Sequence, residues 1–454
     1  MGFELELTPA QHDLVERTHR FAAEVVRPVA ERYDHDEEFP WAVLERAAEE
    51  GFYNALFYRD LITDPTGLSL PLFMEELFWG CAGIGLSVVM PALALSAMAQ
   101  AASPDQLVRW APEFFGQPGD LKLAALAVSE PQGGSDVAAL KTRARRDGDE
   151  WVIDGHKMWI GNGGIADVHV VNAVVDPELG TKGQALFIVE GGTPGLELVR
   201  KLEKLGCRAS HTAELRFEGC RVPADHLLGG VDKLERRFER ARKGEGRSAA
   251  LGAFEQTRPM VAAQALGIAR AAFEFACEYA AGREAFGEPI VQKQGVSFPL
   301  ADVAMELDAA RLLTWRAAWM AAQGLDFHLA EGSMSKLAAS EVAVKATERA
   351  VQVCGGWGYL RDLPVEKWYR DAKLYTIFEG TSEIQRLVIG RTLAEAGPAG
   401  PRHPRLPTRA GPGRKFGRGT PLRAQAGMAL LRLAKVTPDA LLRVPGKVLA
   451  PPKK

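Results

Sequence analysis

The stretch IFEGTSEIQR, residues 377–386, carries two carboxylates four positions apart in different company. Glu379 follows two bulky apolar residues, Ile377 and Phe378, whereas Glu383 stands in a polar run opened by Gly-Thr-Ser. A carboxylate beside apolar bulk is either a helix cap in water or a base kept from water. In the second case burial disfavours its charged form and raises its proton affinity. Gly380-Thr381-Ser382 has the composition of a turn that caps the helix after it.

Four other segments have residue types suited to chemistry. LAVSEPQGGSD (126–136) ends a strand-like run in a Pro/Gly/Ser turn, where exposed N–H groups can meet an anionic or polar ligand edge. GHKMWIGNGG (155–164) puts Trp159 just before a glycine-rich bend, where an indole could cover a flat ring or simply fill a core. FEQTRP (254–259) combines a carboxylate, a hydroxyl and a guanidinium and is expected to begin a long helix, a place suited to a phosphorylated ligand or to capping. In CGGWGYL (354–360) the glycines permit close backbone approach to a ligand.

The elements that would position these segments follow from periodicity. Thr8-Pro9 reads as a helix start, and helical spacing of apolar residues continues to about residue 115. GCAGIGLSVVMPALALSAMAQAA (80–102) is apolar nearly all round, as a buried helix is. From about 121 to 228 come strand-like runs (EWVIDG, DVHVVNAVV, QALFIVEGG, TAELRFEG), with the Asp-Gly of a hairpin in RRDGDEW. Helical pattern resumes from about 248 to 396. The expected organisation is α+β: a helical domain over 1–120, a β domain over 121–231, a charged insertion over 232–247, a helical domain over 248–396 and a basic tail over 397–454.

With 454 residues, 47% hydrophobic and 25% charged, the composition is that of a soluble globular protein, and no stretch is expected to span a membrane. The net charge of −3 conceals +12 on residues 397–454 and −15 on the rest. A nucleic-acid protein usually carries basic charge on its folded body, so no nucleic-acid partner is expected. Five scattered cysteines without C-x-x-C spacing argue for a reducing compartment, and no histidine pair has metal-ligand spacing, so no metal is expected. The helix start close behind Met1 leaves no room for a leader, so a cytoplasmic location is expected.

Taken together, SEPQGGSD, KMWIGN, REAFG and GGWGY followed by RDA and IFEGTSEIQ resemble, in order, the signature segments of the acyl-CoA dehydrogenase family, over about residues 5 to 396. The resemblance implies an N-terminal helical domain, a central β domain and a C-terminal four-helix bundle, with FAD between the last two and commonly touching a second subunit of a dimer or tetramer. It implies α,β-dehydrogenation of an acyl-CoA to the trans-2-enoyl-CoA. Glu379 would take the α-proton, flavin N5 the β-hydride, and electron-transferring flavoprotein the electrons. An oxidase using O2, or a non-catalytic CoA- or flavin-binding protein, are the alternatives.

By the same resemblance Leu126, Val128 and Ser129 would touch the flavin ring, Trp159 would flank it, and Gly161 would lie at it. Arg283, Phe286 and Gln294, with Gln352, Gly355 and Gly356, would serve FAD from a neighbouring subunit, and Thr381 and Glu383 would lie at its end of the next helix. Ser135, Glu255 and Arg258 would contact CoA, Val89 would line the acyl pocket with Val88 and Met90, and Phe378 and Gly380 would adjoin the substrate. Ile377 and Phe378 would keep the base dry. A second family arrangement puts the base immediately before the helix arginine; here Thr257 stands there, which favours the straight-chain type.

Gly161 departs from the usual Thr or Ser whose hydroxyl meets flavin N5, Phe378 from a frequent Tyr, and Leu126 from a common aromatic. No arginine stands in 83–95, against a dicarboxyl substrate. Residues 420–449 form an amphipathic basic stretch that could bind a membrane surface or an acidic partner, or dock on the acidic body.

Overall fold

A computed structural model of the chain describes residues 6–245, 249–327 and 329–395; the side chains of 249–256 are outside that description. The basic tail with its 420–449 stretch, and the side chain of Glu255, therefore lie outside the described residues.

Thr8 starts α1 (Pro9–Phe21) by a capping box: its Oγ1 accepts from the Gln11 N–H at 3.3 Å and its own N–H donates to Gln11 Oε1 at 2.9 Å. Helices α2 (Ser69–Gly80) and α3 (Ala82–Ala101) follow, with buried residues on every side of α3, which runs on through Pro91. At 20 residues α3 is long and apolar enough to cross a membrane, as is 257–282. The expectation that no such stretch exists is thus corrected; both are mostly buried inside the protein, as core helices are.

The middle of the chain forms one seven-stranded sheet from β1 (Ala124–Ala127), β2 (Arg143–Asp147), β3 (Glu150–Gly161), β4 (Val168–Val174), β5 (Gln184–Glu190), β6 (Leu196–Lys201) and β7 (Thr212–Pro223). Its order is β1-β4-β2-β3-β7-β6, with β5 beside β4; β1 and β2 run parallel to β4 and the other pairs are antiparallel. The Asp-Gly of RRDGDEW turns β2 into β3 as expected. Strand β3 is longer than EWVIDG alone predicts, and its pairing with β7 shifts register between Lys157 and Ile160. Such a bulge re-aims side chains, and here it contains Trp159, whose φ is +62°.

The charged run 232–247 holds α4 (Val231–Arg242), which buries Leu234 and Phe238, tucks Arg237 against the Gln184 carbonyl and keeps most of its other charges outside; residues 246 and 247 lie outside the described residues. The C-terminal helices are α5 (Ala249–Gly282), α6 (Gln294–Ala322), α7 (Glu331–Cys354), α8 (Val365–Lys373) and α9 (Ser382–Glu395). FEQTRP does not begin α5, as had been expected, but sits inside it, because the good helix formers upstream start the helix at Ala249.

Buried ion pairs tie the layers together. Arg270 of α5 and Arg311 of α6 reach Glu75 of α2 at 3.2 and 2.8 Å. Arg370 of α8 bonds Asp34 near the N terminus at 2.7 Å and the Leu205 carbonyl of the β region at 3.0 Å. Asp371 accepts from the Cys207 N–H at 2.5 Å and from Lys367 at 2.5 Å. The Arg-Asp of the RDA segment thus anchors α8 to both other layers just ahead of the Glu379 turn.

Candidate active site

After α8 the chain makes one turn of 3-10 helix (Leu374–Thr376) and then a bend through Glu379 and Gly380, both left-handed, at φ +53° and +88°. That conformation is costly for a residue with a Cβ, by about 1–3 kcal/mol, and persists only where the surroundings impose it. They do so here. Lys336 of α7, fully buried, donates through Nζ to the carbonyls of Tyr375 at 2.5 Å and Gly380 at 2.8 Å. Gln385 Nε2 donates to the Gly380 and Glu379 carbonyls at 2.8 and 3.3 Å. The Glu379 N–H meets no acceptor among the described residues.

Glu379 as a residue is partly exposed, yet desolvation pushes its carboxyl pKa above the ordinary 4.5, against the opposing positive charges of Lys336 and Arg258. Arg258 is buried in α5 and donates through Nη1 to Ser333 Oγ of α7 at 2.6 Å. Glu383 is its opposite: exposed, and held below 4.5 by hydrogen bonds with its own N–H and with Thr381, which caps α9 by accepting from the Ile384 N–H at 3.2 Å. Ile377, expected to help keep the Glu379 carboxyl dry, is instead 54% exposed, and the two positive charges that act on that carboxyl come from α5 and α7. Phe378 is partly buried, its ring edge-on to Tyr375 at 5.0 Å.

A second cluster of the motif residues is built by the β layer. The Met158 N–H donates to the Ser129 carbonyl at 3.0 Å, which joins the ends of the two motif segments 126–129 and 157–161. Glu130, directly after the first segment, and Lys157 of the second form a buried ion pair at 2.9 Å, and Lys157 also reaches the Val128 carbonyl at 2.8 Å. Against the raising effect of burial, the lysine charge and bonds from the main-chain N–H groups of Thr142 and Lys141 hold Glu130 down at about 2. Trp159 is 55% exposed, a large indole presented outward on the bulge. Gly161 is overlain by Met90 of α3: a Cβ there would lie 2.6 Å from Met90 Cε and 2.9 Å from Sδ. The thioether thus occupies the space into which a Ser or Thr at 161 would project.

Val89 is buried in α3, Leu126, Val128 and Ser129 are partly buried, and Ser135 is exposed. Arg283, Phe286, Gln294, Gln352, Gly355 and Gly356 are all exposed. Phe286 is 95% exposed at the tip of a hairpin (Glu284–Ala285 against Glu288–Pro289). Phe286 and Gly287 both have positive φ, as this two-residue turn requires. The structure therefore brings Glu379, Gly380, Arg258 and Phe378 into one cluster and Ser129 and Trp159 into another. The Phe286 hairpin and Gly355-Gly356 are not drawn into either buried cluster. Sequence reasoning missed Lys336, Ser333, Gln385 and the Glu130–Lys157 pair. The available signal for Lys336 was a lone lysine three residues after Ser333 in the small-residue run GSMSKLAAS.

Comparison with known proteins bears on what this arrangement does. The family descriptions "Acyl-CoA dehydrogenase, N-terminal domain", "middle domain" and "C-terminal domain" match residues 8–117, 125–220 and 244–394. The short-chain specific acyl-CoA dehydrogenase of Rattus norvegicus is 40% identical over 388 residues, 84% of this chain and 89% of that protein. The chain belongs to the acyl-CoA dehydrogenase family. Butyryl-CoA dehydrogenase from Megasphaera elsdenii has the same fold with a TM-score of 0.77 at 33% identity, over 86% of this chain and all of that one. The prolyl acyl carrier protein oxidase AnaB aligns with a TM-score of 0.74 at 28% identity, over 86% of this chain and 100% of its own.

As a member of this family the chain is an FAD-dependent acyl-CoA dehydrogenase, as the motifs implied, with the expected helical and β layers. Its residues fit the cofactor. The Trp159 indole faces outward beside the Ser129 strand end, and a Cβ on Gly355 or Gly356 would meet nothing within 4 Å.

Proposed function

We propose that this enzyme oxidises short, straight-chain acyl-CoA thioesters between Cα and Cβ, with Glu379 as the base that removes the α-proton. One observation carries the assignment: Glu379 is a desolvated carboxyl, raised in pKa, on a left-handed turn whose own N–H meets no acceptor among the described residues. An α-proton beside a thioester is a weak acid. Its removal needs a base poised above the ordinary carboxylate range and a donor aimed at the thioester oxygen. The Glu379 side chain provides the first and its main-chain N–H the second. Bound FAD supplies the acceptor for the two electrons that leave with the β-carbon bond. Residues 126–129, Trp159 and Gly161 would hold the ring, and Phe378 packed on Tyr375 limits water beside the base.

Support for a short, unbranched chain comes from the short-chain and butyryl-CoA relatives, from Thr257 in place of an alternative base, and from Met90 filling the space over Gly161. Helix α3 contains no arginine to receive a distal carboxylate. Electron-transferring flavoprotein is the proposed acceptor and a homo-oligomer the proposed assembly. The first is supported by the likeness, at 33% identity, to a chain in an Acidaminococcus fermentans electron transferring flavoprotein study, the second by the exposed Phe286 hairpin.

An oxidase is the second reading, favoured by Gly161, which offers no hydroxyl to the flavin, and by the likeness to AnaB. The test is an anaerobic panel of acyl-CoAs of increasing length followed by admission of air. Bleaching of the flavin by butyryl-length substrates, with slow recovery in air, is the expected result. Absence of bleaching by every chain length overturns the dehydrogenase reading, and rapid return of colour in air moves the enzyme to the oxidase reading.

A further inference from the structure

A lysine without a carboxylate bonded to its ammonium is an unusual thing to bury, because an ammonium taken from water loses its hydration and must recover it from fixed partners. Lys336 recovers it from two carbonyls, Tyr375 at 2.5 Å and Gly380 at 2.8 Å, which lie on either side of Glu379 in the chain. We propose that Lys336 is a positioning residue for the Glu379 base: its ammonium clamps the turn on both sides of the carboxylate and gives the site a fixed positive charge.

The geometry separates two effects. The two bonds hold the consecutive left-handed residues Glu379 and Gly380, aided by Gln385 Nε2 on the same Gly380 carbonyl. The charge acts on the Glu379 carboxyl through space, alongside Arg258, and leaves the carboxyl oxygens free to accept a proton. A direct ion pair would occupy those oxygens. The groups around Lys336 are Glu379, Arg258 from α5, Glu341 on its own helix and Glu383 of α9, with Glu379 the largest influence among them. Burial lowers Lys336 to about 8, so the charge is present through neutral pH and is withdrawn as pH rises past that value.

This inference rests on Glu379 being the base, and the experiment keeps the two apart. The full chain with FAD bound is compared as Lys336→Met, Lys336→Gln, Lys336→Arg and Glu379→Gln, with kcat and KM followed from pH 5 to 9 and flavin absorbance confirming cofactor content. The neutral variants are expected to lose ~10-fold or more in kcat at pH 7 with KM within about threefold. Their acid limb of kcat should move up by about one pH unit, since a nearby positive charge stabilises the ionised carboxylate. Neutral variants with parent-like kcat and an unmoved limb overturn the proposal. Should neither neutral variant fold, the arginine variant decides. Charge kept with displaced bonds predicts an unmoved limb and a kcat several-fold lower, and a parent-like kcat overturns the clamp. Full turnover in Glu379→Gln sinks the assignment of the base itself, whatever Lys336 does.

Discussion

Glu130 and Glu379 each lie near a buried lysine, but the two ammonium groups direct their protons differently. Lys157 donates straight into the Glu130 carboxylate, which main-chain N–H groups and Gln132 Nε2 also saturate, and the acid is held at about 2. Lys336 donates to carbonyls around Glu379, and that carboxyl is instead raised above 4.5. The same pair of residue types thus makes a structural strut in the β layer and, in the helical layer, the raised carboxyl proposed as the base. What distinguishes them is how many donors reach the carboxylate oxygens, since each bond to the charged form lowers the pKa and burial without such bonds raises it.

The largest effect expected on this comparison is at the proposed base. Glu379→Gln should bind FAD and lose kcat by about 10³-fold or more, within the range general-base removal reaches. Anaerobic flavin bleaching by butyryl-CoA measures it, and retained turnover would break the contrast.

Lys157→Met strips the counter-charge from a buried carboxylate and should cost about 3–5 kcal/mol of stability. Equilibrium urea unfolding of the FAD-bound protein reads this, and a loss below about 1 kcal/mol would mean that the strut is dispensable.

The pH dependences should carry opposite signs. Glu130, depressed in the fold, contributes stability present above its unfolded value near 4.5 and lost as pH falls toward 2. Glu379, raised in the fold, contributes most when protonated, and that contribution is lost as pH rises through its folded pKa. On the proposed role of Glu379 activity needs its ionised form, so the acid limb of kcat should lie above pH 4.5. Stability curves of the parent and Glu379→Gln from pH 3 to 8, set beside the kcat profile, separate the two groups.

The smallest effect is expected at the end of β3, beyond the strut. Gly161→Ser must displace Met90, the far end of a flexible side chain, at a cost of about 1 kcal/mol. A double-mutant cycle with Met90→Ala should recover most of it. Additive losses would show that the thioether yields without cost.

Much of this molecule is legible locally. Helical and alternating periodicities mark the helix–strand–helix order, Thr8-Pro9 marks its first cap, and Asp-Gly marks the β2–β3 turn. The motif order picks out Glu379 over Glu383 and sets Trp159 beside a glycine-rich bend. Those features depend on neighbours a few residues away, and the chain carries them whatever its tertiary arrangement. Local signals also misled: helix propensity upstream carried α5 past the expected start at FEQTRP, and Ile377 proved to face solvent.

What only the folded chain decides is the electrostatic fate of each carboxylate. Lys336 reaches the Glu379 turn across sequence separations of 39 and 44 residues, and Lys157 reaches Glu130 across 27. Met90 comes from α3 to cover Gly161. The residue types of the proposed base and of the Glu130–Lys157 strut are written in the chain, but desolvation and proton donation are properties of whatever packing brings alongside. A carboxylate becomes a strut or a base only when that packing is complete.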